Sequence, residues 1–164
     1  MSAAADHPIG AWIGDLAGRE PTPGGGGAAA IAAATGSALG AMAGRYTTGR
    51  KWADRAETVG ALLALLDAHR AALLVAADLD AAAYAELQAS WKRDDLDAAQ
   101  REAISDRARD VPADIVARCA DACAALAAFL PRCNPMIVSD GKAAIHLLAG
   151  AARAAWQTLA VNEP

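Results

Sequence analysis

Between Glu20 and Arg45 the chain carries no charged side chain. A run of that length is long enough to cross a bilayer, so it must end either in lipid or inside protein. Its composition decides between the two. The run opens Pro21-Thr22-Pro23-Gly24-Gly25-Gly26-Gly27 and continues mostly in Ala and Gly, whose side chains gain little from transfer to lipid. The reading is a central helix buried by protein, with no membrane as partner. Within it Gly36, Gly40 and Gly44 recur every four residues, a stripe without side chains that another helix can approach closely.

The rest of the chain offers little to a sheet. Ala makes up roughly three residues in ten, while Phe, Tyr, Ile and Val are sparse, so the fold class is all-α. A short helix is expected from Pro8 to Gly18 with Ile9, Trp12, Ile13 and Leu16 on one face. A long one runs from Ala53 to Trp91 on a leucine stripe, and another from Leu96 through Leu130, bent at Pro112. The last begins at Ser139-Asp140, where a serine caps free N–H groups and an aspartate complements the dipole. Together they make an up-and-down bundle around the Ala/Gly-rich helix, as one domain over residues 1–164. Two helices that are apolar nearly all round cannot both be covered in so small a chain, so the bundle is expected to form a homodimer through its Ala/Gly-rich helices.

Several function classes are excluded. The formal net charge is -4 with Arg and Lys scattered, which leaves no footprint for nucleic acid. Cys119, Cys123 and Cys133 read as small buried hydrophobes in a reducing cytoplasm. His7, His69 and His146 do not stand at ligand spacing beside them, so no metal is expected. His146, among Ala, Ile and Leu, reads as a core residue. The stretch from Met1 to Pro8 lacks the basic and apolar regions of a secretory leader, and a cytoplasmic location follows.

Two segments carry chemistry. The glycines at 24–27 precede a helix, where backbone without Cβ can be approached closely and outward N–H groups meet a carboxylate or a polar heterocycle edge. Read alone, the same residues make a sharp turn into a packed helix. The second segment, from Cys133 to Gly141, is a capped helix start.

Paired in one Ala-rich chain, these segments resemble the cyclodeaminase/cyclohydrolase family, which comprises the C-terminal domain of formiminotransferase-cyclodeaminase and the stand-alone methenyltetrahydrofolate cyclohydrolases. The family's Pro-x-Pro-Gly-Gly-Gly-Ser-x-x-Ala motif is matched by Pro21 to Ala30, with Gly27 at the serine position. Its Thr-x-Gly-Lys-Lys stretch is matched by Thr47-Thr48-Gly49-Arg50-Lys51, and its Asp-x-Asp-x-x-Ala-aromatic segment by Asp78 to Tyr84. Val111-Pro112, Asn134, Ser139-Asp140 and Asn162 follow in register, with Thr158 where the family carries an Asn.

The resemblance implies an all-helical dimeric enzyme acting without metal on a tetrahydrofolate derivative. Its implied reaction is hydrolysis of 5,10-methenyltetrahydrofolate to formyltetrahydrofolate. The alternatives are cyclodeamination of formiminotetrahydrofolate with loss of ammonia, or a noncatalytic helical dimer of the same fold. The residues expected to act are Asp140 as base or cation stabiliser, with Asp80 and Tyr84 one turn apart on a helix. Thr22, Gly24, Gly25, Gly26, Lys51, Asn134 and Ser139 are expected to bind substrate, Lys51 at the glutamate tail.

Overall fold

The computed structural model describes residues 3–161, and they fold as five helices: α1 (Ile9–Leu16), α2 (Gly25–Arg45), α3 (Ala56–Ser90), α4 (Ala98–Phe129) and α5 (Val138–Val161). Asn162 lies outside the described residues. No strand occurs among the described residues, as an Ala-rich chain poor in β-branched residues dictates. The last four helices run up and down in sequence order. Helix α2 packs against α3 and α5, and α4 closes the bundle on the far side.

The glycine stripe sets the register. A Cβ on Gly44 would lie 3.0 Å from Leu63 Cδ2, and one on Gly40 2.9 Å from Leu126 Cδ1 and 3.2 Å from Leu66 Cδ1. One on Gly36 would lie 2.9 Å from Leu148 Cγ. Leucines of α3, α4 and α5 therefore fill the grooves left by the missing side chains. This corrects the expectation that the stripe meets a second copy, because its partners belong to the same chain. The face of α2 turned away from them carries Ala28, Ile31, Thr35, Ala38 and Met42, spaced three and four residues apart, and none of these is buried. Both faces lack charge for different reasons: the inner one is core, the outer one a largely apolar stripe that its own chain covers only in part. Although α2 and the stretch Arg50–Ser90 are long and apolar enough to cross a membrane, the inner face of α2 is enclosed by its own neighbours.

Helix ends differ from expectation where capping chemistry intervenes. Helix α4 starts at Ala98 because Asp97 accepts the Gln100 N–H at 2.8 Å while Gln100 Oε1 accepts the Asp97 N–H at 3.0 Å. It continues unbroken past the buried Pro112 to Phe129. A 3₁₀ turn, Arg50–Arg55, precedes α3, and Trp52 inside it has non-helical angles, so the helix begins at Ala56 rather than Ala53. Ser139 does not cap α5. It stands inside the first turn and donates to Asp140 Oδ2 at 3.2 Å.

Of the apolar residues of α1 only Trp12 is buried; Ile9 and Ile13 are 62% and 55% exposed. His146 is exposed as well. The inward positions of α5 are Ala144, Leu148, Ala151 and Ala155, and a residue two places after Ala144 stands on the opposite side of the helix. The core histidine is His69, which lies on the buried face of α3.

Candidate active site

The glycine run forms the first turn of α2, with Gly24 extended at the N-cap position. A glycine supplies no side chain to satisfy the free N–H groups of a helix start. Asp80, fifty-three residues further on in α3, supplies one instead: its Oδ2 accepts the Gly27 N–H at 2.9 Å. The neighbouring Gly26 makes room for it, because a Cβ there would come within 2.0 Å of Asp80 Oδ1. The carboxylate thus sits on the positive end of the α2 dipole. Burial pushes its pKa up from the ordinary 3.8, and the Gly27 N–H draws it partly back.

In front of this pair opens a cavity of about 400 Å³, lined by Pro21, Thr22 and Gly24–Gly26 on one side and by Asp80 and Tyr84 of α3 on another. The volume falls in the lower part of the range for small-molecule sites. Tyr84 follows Asp80 by one helical turn, and its ring stands edge-on to Trp91 at 6.5 Å between centroids. Thr22, Gly24, Gly25, Gly26, Asp80 and Tyr84, all expected to act, share this one cavity.

Lys51, Asn134, Ser139 and Asp140 do not line it. They stand at the opposite end of α2, whose 21 residues make a rod about 30 Å long. There Asn134 donates its N–H to Thr47 Oγ1 at 3.0 Å and its Nδ2–H to the Tyr46 carbonyl at 2.9 Å, fastening the α4–α5 turn to the end of α2. The Lys51 ammonium lies 4.8 Å over the Trp52 ring, with the Arg55 guanidinium 4.4 Å from that ring. Asp140 is half-buried in the first turn of α5.

Sequence reasoning missed the third wall, made by Ala108 of α4 and by Gln157, Thr158 and Val161 of α5. A signal for Thr158 exists: it continues the inward spacing Ala144, Leu148, Ala151, Ala155 with a polar side chain. Its Oγ1 would lie 3.4 Å from a Cβ on Gly25. Gly27, by contrast, has room, since a Cβ there meets nothing closer than the Ala77 carbonyl at 3.7 Å. Among the described residues no three His, Cys, Asp or Glu side chains converge as metal ligands do. Cys119 is buried in the core, where desolvation and the neighbouring Cys123 push its thiol up to about 11, far from a reactive thiolate.

The sequence pattern of the formiminotransferase-cyclodeaminase family matches residues 8–164. Among solved structures, one described as formiminotetrahydrofolate cyclodeaminase from Thermotoga maritima superposes with a TM-score of 0.90 at 21% sequence identity, over 96% of this chain and 79% of that one. No curated protein matches the sequence.

Proposed function

Because the chain belongs to the formiminotransferase-cyclodeaminase family, we propose that it is an enzyme acting on a tetrahydrofolate one-carbon derivative held in the cavity between the glycine turn and Asp80. The favoured reaction is cyclodeamination. The N10 nitrogen of 5-formiminotetrahydrofolate, protonated on its formimino nitrogen, adds to the formimino carbon on N5; the N10 proton then moves to the departing nitrogen, the carbon–nitrogen bond to it breaks, and ammonia leaves as the cationic five-membered methenyl ring closes. The observation that carries this reading is a carboxylate seated on a helix start, partly removed from water, with a phenol one turn away in the same cavity.

The chemistry asks for one group that takes the N10 proton and returns it to the nitrogen that leaves. A carboxylate held above its ordinary pKa suits both halves, since it accepts a proton more readily than a solvated one and still releases it. Tyr84, one turn from Asp80 in the same cavity, would donate a hydrogen bond to the departing nitrogen. The outward N–H groups of the glycine turn and the amide of Gln157 offer partners to the polar edge of the pterin. Burial on three sides strengthens each of these contacts. Hydrolysis of 5,10-methenyltetrahydrofolate is the second reading, favoured by the same carboxylate, which can draw a proton from water attacking the same carbon.

We further propose a homodimer built on the partly covered stripe Ala28–Ile31–Thr35–Ala38–Met42, whose spacing suits helix-on-helix packing. A two-fold axis across the middle of α2 turns one copy's helix end toward the other copy's helix start. That arrangement carries Asp140, Ser139, Asn134 and Lys51 of one copy toward the Asp80 cavity of its partner, and gives all ten expected residues one place to act. The test is turnover: ammonia release from 5-formiminotetrahydrofolate, and loss of methenyl absorbance above the uncatalysed rate. Native protein silent in both assays overturns the catalytic reading and leaves a helical dimer without chemistry.

A further inference from the structure

We propose that the segment from Ala4 to Leu16 is a strap that presses the glycine turn onto Asp80, and that Trp12 and Asp78 are positioning residues for the candidate site. The inference rests on the proposed function only for the importance of Asp80; the contact itself exists with or without turnover.

The turn at Gly24–Gly27 has no side chains by which the fold can hold it, and glycine backbone is the most costly to order. Something outside it must do so. In front stands Asp80, accepting the Gly27 N–H. Behind stands the Trp12 ring: its Cζ2 would lie 3.8 Å from a Cβ on Gly27, with Pro23 Cβ at 3.9 Å. Trp12 is 9% exposed while its helix neighbours Ile9 and Ile13 face solvent, so α1 is tied to the bundle through one ring rather than through an apolar face.

The strap is fastened at its other end by Asp78. The Ala4 N–H donates to both Asp78 oxygens, at 3.0 and 3.2 Å. His7 Nε2 and Asp15 Oδ2, 3.0 Å apart, close the segment on itself. Beneath it remains a gap of about 90 Å³ bounded by Ala4, Trp12, Pro23, Ala77 and Asp78 among others, so the strap bridges to α3 without filling the space between. Two carboxylates two residues apart in α3 therefore clamp the same turn from opposite sides. Asp80 takes its N–H directly, and Asp78 holds the segment that backs it.

The test is NMR on the full-length protein without substrate, following the Gly27 amide. In the native chain this proton should exchange slowly and its resonance should move as Asp80 titrates. The other ionisable groups facing the turn are Tyr84 in the cavity and His7, Asp15 and Asp78 at the strap, so Asp80→Asn identifies the Asp80 share of the movement. In Trp12→Ala and in Asp78→Ala, which leaves the Ala4 N–H without its acceptor, Gly27 exchange is expected to quicken about tenfold and its pH-dependent movement to flatten, while the core amides of Leu73 and Ile115 keep their native rates. Trp12→Phe should restore most of the native behaviour. If Trp12→Ala fails to fold, Asp78→Ala, at an exposed residue, carries the test alone. Unchanged Gly27 exchange in the folded variants overturns the inference, and so does quickening shared equally by the core amides. Absence of turnover in the native protein would count against the proposed function and leave this contact untouched.

Discussion

The Asp80 carboxylate occupies the place that a side chain on Gly26 would take, with Oδ1 only 2.0 Å from the ideal Cβ position. One residue further, Gly27 gives its N–H to the same carboxylate but leaves space around its own Cα. Adjacent glycines thus do different work, the first yielding volume and the second a hydrogen bond.

Gly26→Ala and Gly27→Ala should accordingly part company. The first drives the carboxylate off its N–H, lowers turnover by about 10²-fold or more if Asp80 moves the proton, and costs about 1 kcal/mol in the lost bond. The second meets nothing nearer than 3.7 Å and should leave stability unchanged or raise it by up to about 1 kcal/mol through helix propensity. Thermal melts beside turnover assays decide it. Equal behaviour of the two variants would refute the geometry.

Asp80→Asn tests the raised pKa. A folded-state acid raised above its unfolded value of 3.8 contributes stability that is complete below that value and is lost as the pH rises through the raised one. The asparagine is neutral throughout. Relative to the native chain, the variant's Tm should therefore improve as the pH climbs from below 3.8 toward neutrality, while turnover at neutral pH falls about 10²-fold or more. A Tm difference that runs the other way with pH would show that Asp80 is held below its ordinary range.

The two faces of α2 should answer to different assays. Gly40→Leu pushes into Leu126 and Leu66 of its own chain and should destabilise each protomer by about 1 to 3 kcal/mol or more. Ala38→Glu on the exposed stripe should leave the fold intact and separate the proposed dimer in light scattering. If Ala38→Glu leaves the mass in solution at that of the native protein, the outer stripe is not the interface.

Asp80→Asn and Asp140→Asn should each be slow alone, the latter losing only about 0.3 to 1 kcal/mol of stability from the helix dipole. Mixed after mild dissociation, they should recover about a quarter of native activity, since half the random dimers carry one intact composite site. No recovery from a mixture proven to exchange subunits would mean that Asp140 does not serve the partner's cavity.

Much of this fold was legible in the sequence, for identifiable reasons. Ala-rich helices, the uncharged α2 and the loop punctuation are local properties, and they led to an all-α bundle with the glycine turn at a helix start. The direction of the Gly36–Gly40–Gly44 stripe was not legible, because both faces of α2 lack charge and the pattern does not say which one the same chain covers. Asp80 and Tyr84 were legible as a pair through their spacing. Their meeting with Gly26 and Gly27 was not, since it depends on antiparallel register across fifty-three residues. Ser139 read as a cap from its neighbours, and only the backbone from Asn134 to Val138 shows the helix starting one residue earlier. Trp12 gave no sign of its role, because a lone aromatic among apolar neighbours reads as one member of a stripe.

The six glycines within α2 also bear on the order in which the molecule folds. Each interior glycine weakens an isolated helix by about 1 kcal/mol relative to alanine, so α2 has little tendency to form by itself, whereas α3 is long and rich in Ala and Leu. The leucines that fill the Gly36, Gly40 and Gly44 grooves must come together before α2 has a surface to wind against. The segment that becomes the centre of the bundle is then expected to be among the last to acquire its shape. On that order, the turn that receives Asp80 should form only after α3 is in place to meet it.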